Sequence, residues 1–346
     1  MQFYTKQHKF YCGIDLHTKK MYVCILDEKG EIREHRNMDT NPESFLAAIA
    51  PFREDIVVAA ECMFTWYWLA DLCQKEGIPF VLGHALYMKA IHGGKAKNDK
   101  IDSKKIAVLL RGGMIPMSYV YPEKMRATRD LMRRRNHLMR KRAELLAHIQ
   151  NTNSQYNLDE PFGCIAVPKR RGDIVGAFDH PAVKKSMEVN LKVIATYDVL
   201  LDDLERTILK LARYHDPVSY ALLQSVYGIG RIGALTILYE IENIKRFPRV
   251  QDFVSYARLV KCEKTSAGKS YGTGGNKIGN AHLKWAFSEA AALFLKGNEP
   301  AKNYMERLAR KHGKGKALSI LAHKLGRAVY FMLKNKEAFD QEKFLR

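Results

Sequence analysis

The sequence predicts an α/β amino-terminal domain followed by a largely helical remainder, and three observations predict it. Residues 9 to 39 hold three short segments suited to strands, and helix and strand patterns alternate from there to about residue 112. Apolar stripes at helical spacing fill residues 131–146 and 187–211. From about residue 217 the composition changes to small residues, glycine and lysine. The divisions fall at 1–118, 119–216 and 217–346, and a chain of 346 residues is long enough to give each its own core.

Taken in order, "KFYCGIDLH" is followed by "KMYVCILDE", where Met21, Val23 and Ile25 alternate, then by a turn at Gly30 and "EIREHRNMD". "TNPESFLAAIAPF" opens as a helix whose cap is either Asn41, with Pro42 at the first helical position, or Thr40, with Glu43 three residues on as a capping box. A strand "DIVVAAEC", a helix "FTWYWLADLCQKEG", a strand "PFVLGH" and further helical pieces complete the region. Three antiparallel strands followed by alternating helix and strand is the order of the ribonuclease-H-like fold.

In the middle region Leu131, Leu138 and Leu145 repeat at seven, with Met132, Met139 and Leu146 beside them. This double stripe is expected to bury one helix face and to leave Arg133, Arg134, Arg135, Arg140, Lys141 and Arg142 on the flanks and outside, available to nucleic acid. Met187, Leu191, Ile194, Leu201, Leu204, Ile208 and Leu211 mark a second long helix. The two fit a hairpin within one subunit and a coiled coil between subunits equally well. "DEPFGCIAVPKRRGDIVGAFDHP" between them reads as an irregular connector.

"LLQSVYGIGRIGALTILYEI" has the pattern of a helix-hairpin-helix, in which Gly228 and Gly230 would let backbone N–H groups approach a DNA phosphate; a tight turn between helices is the plain alternative. A glycine-rich loop, "TSAGKSYGTGGNKIGN", then the helix "AHLKWAFSEAAALFL", and finally a basic loop and amphipathic helix in "GKGKALSILAHKLGRAVYFMLK" complete the chain.

Composition narrows the function. A surplus of 57 Lys+Arg over 37 Asp+Glu, formally +20, favours a polyanionic partner such as nucleic acid. The six cysteines (12, 24, 62, 73, 164 and 262) lack CxxC spacing and are expected as reduced, mostly buried thiols, not a zinc site or disulfide frame. With neither a secretory leader nor a bilayer-spanning run in view, the expected location is the cytoplasm, at the nucleoid when DNA is bound.

Four carboxylates carry the chemistry. Asp15 ends the otherwise apolar strand of "YCGIDLH", and Glu61 ends "DIVVAAE" in the same way. An acid there is costly unless it is paired or bound to a cation, and the ends of neighbouring strands converge on one sheet edge. Asp99 and Asp102, in "KAKNDKIDSKKIAVLL", share a face if that segment is helical. Taken alone the pair is readily explained as a solvated face with lysine partners. Together the four make a hard-oxygen site for Mg²⁺ or Mn²⁺, suited to phosphoryl transfer.

These segments, with "VVAAECMFTWYWLAD" and the carboxy-terminal "FVSYARLVKCEKTSAGKSYGTGGNKIGNAHLKWAF", resemble insertion-sequence transposases of the IS110 family over nearly the whole chain. The resemblance implies a RuvC-like DEDD site made by Asp15, Glu61, Asp99 and Asp102, holding Mg²⁺. It also implies a serine nucleophile in the second domain that forms a transient phosphoserine link to DNA. A structured bridge RNA pairing with donor and target DNA is implied too, as is a homo-oligomer, dimer or tetramer, in which carboxylates and serine combine. Ser266 in "KTSAGK" best fits the family's Ser-Gly position, although Ala267 intervenes before Gly268, and Ser270 is the fallback. Lys264, Lys269 and Lys277 are candidates to hold the scissile phosphate. Other functions compatible with the sequence are a site-specific invertase of the pilin-inversion type, a metal-dependent junction nuclease without covalent serine chemistry, and a nucleic-acid binder without catalysis.

Overall fold

Period-two alternation sets the amino-terminal layers. Strand β1 (Phe10–Leu16) directs Cys12, Ile14 and Leu16 to one side of the sheet and Tyr11, Gly13 and Asp15 to the other. Strands β2 (Lys20–Asp27) and β3 (Ile32–Asp39) add to it in antiparallel register, while β4 (Ile56–Glu61) and β5 (Phe80–Gly83) add in parallel on the opposite edge. The result is a mixed five-stranded sheet in the order β3-β2-β1-β4-β5, consistent with the ribonuclease-H-like order read from the sequence. This description rests on a computed structural model covering residues 2–91, 98–158, 165–168, 171, 174–274 and 278–346, without the side chains of 90, 262–264 and 273–274.

Helices cover both faces of the sheet. Helix α1 (Pro42–Ile49) is capped by Asn41, whose side chain accepts from the Ser44 N–H at 2.7 Å, so the Asn41 alternative holds. With α2 (Tyr67–Lys75) it buries Phe45, Ile49, Leu69 and Cys73 against the Cys12 side. The second helix starts three residues later than its aromatic pattern predicts. Helices α3 (Ala85–Ile91) and α4 (Asp99–Arg111) cover the Tyr11 side with Met88, Ile106, Leu109 and Leu110.

The chain divides into two units, Met1–Glu123 and Lys124–Arg346. In the second, α5 (Glu123–Gln155) and α6 (Pro181–His215) run antiparallel within the one chain. Arg135 bonds Glu205, Arg142 bonds Asp198, and His148 lies 3.0 Å from Asn190, so rising numbers on α5 meet falling numbers on α6. Buried α6 residues Met187, Ile194, Leu201 and Ile208 keep a strict seven-residue repeat. On α5 the expected stripe is rotated: Leu131, Leu138 and Leu145 are only partly buried and Met139 is exposed, whereas Met132, Arg135, Arg142 and Ile149 face inward. Acids on α6 make this possible, because they satisfy guanidinium groups at core positions.

The remaining elements are α7 (Pro217–Gln224), α8 (Arg231–Ile241), α9 (Val250–Tyr256), β6 (Cys262–Ser266), β7 (Lys269–Gly274), α10 (Ala281–Phe294), α11 (Glu299–His312), α12 (Lys314–Asn335) and α13 (Gln341–Leu345). Helix α8 is buried from Ala234 to Ile241 and forms the centre of a core with Phe253, Phe287, Phe294, Leu325 and Tyr330. Met125, Met132, Ile208 and Ala212 of the long helices join that core. The glycine-rich stretch expected as a loop instead forms a two-stranded hairpin. Ala267 and Gly268, with φ of 48° and 75°, make the two-residue turn that matches strand twist.

Candidate metal centre

The acids reach one sheet edge through ordinary local rules. In the parallel register Ile14 faces Ala60, and Asp15 and Glu61 each follow by one residue, on the face that α4 covers. Gly13 sets how closely that helix approaches: a Cβ there would stand 2.3 Å from the Ala107 nitrogen and 2.4 Å from the Ser103 carbonyl oxygen, both backbone atoms of α4. Any side chain at position 13 would push the helix off the sheet.

The first turn of α4 then brings its two acids to the strand ends. Asn98 caps it by accepting from the Ile101 N–H at 2.8 Å. His35 on β3 donates to the Lys100 carbonyl at 2.9 Å and fixes the same turn from the side. Asp99 and Asp102 occupy this turn, three residues apart, as the sequence predicts.

Asp15, His17 and Asp99 offer ligand atoms that all lie within 4.8 Å of one another. The His17 Nε2 is 3.5 Å from the Asp15 carboxylate and 3.7 Å from that of Asp99. Burial raises the Asp15 carboxyl above its ordinary range; His17 opposes this, while Asp99 and Asp102 push it further up. Asp102 stands outside the tight group, 3.3 Å from the Lys105 ammonium. Glu61 also stands outside it, at the same edge and half-buried. A half-buried Asp15, whose affinity for protons is raised, beside the exposed Asp99 carboxylate and an imidazole is a donor set that suits a hard or borderline divalent ion. The residues therefore fit a divalent metal at Asp15 and Asp99, with Asp102 in the same helical turn as Asp99 and Glu61 at the same sheet edge.

The second unit carries the other sequence candidates. Ser266 pairs with Lys269 across the hairpin and Ser270 pairs with Thr265, so the two serines lie on opposite faces. Both are exposed, and Lys269 shares the Ser266 face. Lys264 lies in β6, its side chain undescribed, and Lys277 falls outside the described residues.

Burial corrects two of the predicted basic contacts, Arg135 and Arg142, while Arg133 stays partly exposed. Arg133 grips both oxygens of Glu240 at 2.7 and 2.9 Å, Arg135 bonds Glu205 at 2.9 and 2.6 Å, and Arg142 bonds Asp198 at 2.6 Å. All three guanidinium groups are engaged by acids of the same chain, those of Arg135 and Arg142 in its interior. Arg134, Arg140 and Lys141 are exposed, Lys141 in a surface pair with Glu144. Gly228 also has a packing role: at φ 89°, a Cβ would lie 2.6 Å from the Phe294 nitrogen of α10. Gly230 precedes α8 with open space around it.

Sequence reasoning missed His17, Gly13 and His35. His17 was visible two residues beyond Asp15 in "GIDLH"; Gly13 had the signal of a glycine inside an apolar strand, which marks a close backbone approach. His35 gave none, because its partner is a carbonyl 65 residues away.

An α/β sheet with acids at the ends of adjacent parallel strands is suited to metal-assisted phosphoryl transfer. Comparison with known proteins agrees. The IS110 DEDD model, described as "Transposase", matches residues 12–157, and the model "Transposase IS116/IS110/IS902 family" matches 220–306. The chain is similar to "Transposase for insertion sequence element IS1111A" of Coxiella burnetii, at 21% identity over 336 residues, covering 94% of this chain and 90% of that one. It is also similar to "Putative transposase y4qE" of Sinorhizobium fredii, at 23% identity over 295 residues, with 81% and 70% covered. The chain belongs to the IS110 family of insertion-sequence transposases, DNA-processing enzymes that act by phosphoryl transfer.

Proposed function

We propose that this transposase is an RNA-guided DNA recombinase that cuts and rejoins DNA through Mg²⁺-assisted attack by Ser266. The observation that carries the reading is the convergence of Asp15, Asp99 and His17 at the sheet edge where Glu61 also ends its strand. Bound there, Mg²⁺ supplies charge neutralisation at the phosphate. Asp15 and Asp99 would hold the ion with help from Glu61 and Asp102, and His17 would orient Asp15.

In the second unit, the Ser266 hydroxyl oxygen forms a bond to phosphorus as the bond to a deoxyribose oxygen breaks. Its proton passes through solvent to the leaving oxygen. The phosphoserine ester retains the energy of the phosphodiester, and attack by a new deoxyribose hydroxyl reverses the step. Lys269, on the same hairpin face as Ser266, pairs with the phosphate. Because Lys269 shares the face of Ser266 and not that of Ser270, Ser266 is favoured over the fallback. The +20 charge supports binding of both DNA and a structured guide RNA, with base pairing reading sequence.

A metal-dependent nuclease without covalent serine chemistry is the second reading, favoured because the acid cluster is formed wholly by the first unit. Trapping separates the two. A protein–DNA adduct that survives denaturation, persists in Ser270→Ala and vanishes in Ser266→Ala supports recombination; cleavage by Ser266→Ala at the wild-type rate leaves the nuclease. Sequencing of copurifying RNA, followed by recombination with and without it, tests guidance: a random RNA population and equal activity in its absence would remove that part.

A further inference from the structure

Phe64 is 79% exposed, more than any other large apolar side chain among the described residues, and it sits three positions beyond Glu61. A phenyl ring has no polar atom to hold in water, and burial elsewhere would be the favourable outcome. Its exposure is enforced by the loop that carries it. The Cys62 N–H donates to the Gly83 carbonyl at 2.9 Å, tying one end to β5. The Thr65 hydroxyl donates to the Leu16 carbonyl at 3.0 Å, tying the other to the end of β1, between Asp15 and His17. Trp66 follows, buried against Ala70, Leu82 and Tyr121. Phe64 thus lies in a short loop anchored at both ends beside the strand ends that carry Glu61 and Asp15, with Met63, 48% exposed, next to it in the chain.

We infer that Phe64 is a base-stacking residue: its ring packs against the nucleobase next to the scissile phosphate and keeps that nucleotide unstacked from its neighbour at the metal centre. An aromatic face binds any unpaired base, which suits an enzyme whose sequence reading lies elsewhere. Insertion of an apolar side chain beside a base step also distorts the duplex where the phosphate must be reached. The loop ties hold the Phe64 backbone beside the ends of β1 and β4, so that a base stacked on its ring would set the register of the phosphate. The inference rests on the proposal that the acid edge binds DNA for phosphoryl transfer.

The test uses the full-length protein and a synthetic forked DNA, a 20-base-pair duplex with two single-stranded arms and 2-aminopurine at the branch. Binding is followed in Ca²⁺ and cleavage in Mg²⁺. Phe64→Ala is expected to weaken binding about ten-fold, the loss typical of one base–aromatic stack, and to abolish the 2-aminopurine emission change seen with wild type. Phe64→Trp restores both, and its own emission is quenched by the fork. Unchanged affinity and unchanged 2-aminopurine response in Phe64→Ala overturn the assignment. So does a shift of Phe64→Ala to a smaller species on gel filtration with DNA binding intact, which would give the ring to a second copy of the chain. Because the fluorescence arm needs no turnover, it judges Phe64 even if wild type fails to cleave, an outcome that would instead overturn the catalytic reading.

Discussion

Asp15 and Glu240 are both acids withdrawn from water, and their surroundings could hardly differ more. Around Asp15 stand Asp99 and Asp102, with His17 the one nearby group that lowers its proton affinity. Glu240, 1% exposed on α8, is gripped by Arg133 and Arg129 and accepts from the Asn280 amide at 2.7 Å. Against the upward pull of burial, Arg133, Arg129 and Asn280 hold the Glu240 carboxyl down at about 2, while Asp15 is raised. The difference separates two uses of one functional group. A satisfied acid is architecture: Glu240 joins α5 to α8 and to the Asn280 cap of α10. An acid left among other acids is a site awaiting a cation.

The comparison can be broken most severely at Asp15. Asp15→Asn should reduce metal-dependent DNA cleavage by about a thousand-fold or more, since several kcal/mol of charge stabilisation leave with the ligand. Its unfolding midpoint without metal should stay level or rise, because a like-charge contact is relieved. Mn²⁺ titration by calorimetry checks the cause: retained binding would contradict the assignment.

Glu240→Ala should do the reverse, costing about 3–5 kcal/mol in denaturant unfolding by stranding the largely buried Arg129 guanidinium and the buried Asn280 amide. Glu240→Ala and Arg133→Ala together should cost less than the sum of the single changes. The same acid gives a pH signature. Its folded value of about 2 lies below the ordinary glutamate value, so its stabilisation is complete above about pH 4.5 and is lost as pH falls towards 2. Wild type should lose midpoint across that window more steeply than Glu240→Gln.

Gly13→Ala is the next largest change. The added methyl forces α4 outward, at about 1–3 kcal/mol, and moves Asp99 from Asp15. Mn²⁺ affinity should fall even though no ligand is altered; unchanged affinity would show that the close approach of α4 does not set the site. Lys105→Ala should be the mildest, below about 1 kcal/mol in stability. It should tighten metal binding slightly by freeing Asp102 from the lysine 3.3 Å away.

Much of the fold was legible because it is written in local periodicity. Alternation in residues 10–27 and the apolar run at 56–60 gave the strands, and Asn41–Pro42 gave a helix start within one residue. The hairpin at 262–274 was read as a loop because its glycines hid a strand pattern, although Ala267–Gly268 was a usable turn signal. On α5 the leucine repeat was real and its inward face misjudged. Arginine is assigned to the outside by type, and only Glu205 and Asp198, 70 and 56 residues away, make Arg135 and Arg142 interior residues.

The sequence by itself determined where the amino-terminal strands run along the chain, the positions of four acids at element ends and the basic character of the chain. These depend on neighbours within a few residues, or on simple sums. Tertiary structure alone decided which charges are spent and which are left over. It turned Asp99 and His17 towards Asp15, Asp102 towards Lys105, and Ser266 and Ser270 to opposite faces of one hairpin. The physical reason is that a charge's role is set by what compensates it, and the compensating group is a neighbour in space before it is a neighbour in the chain.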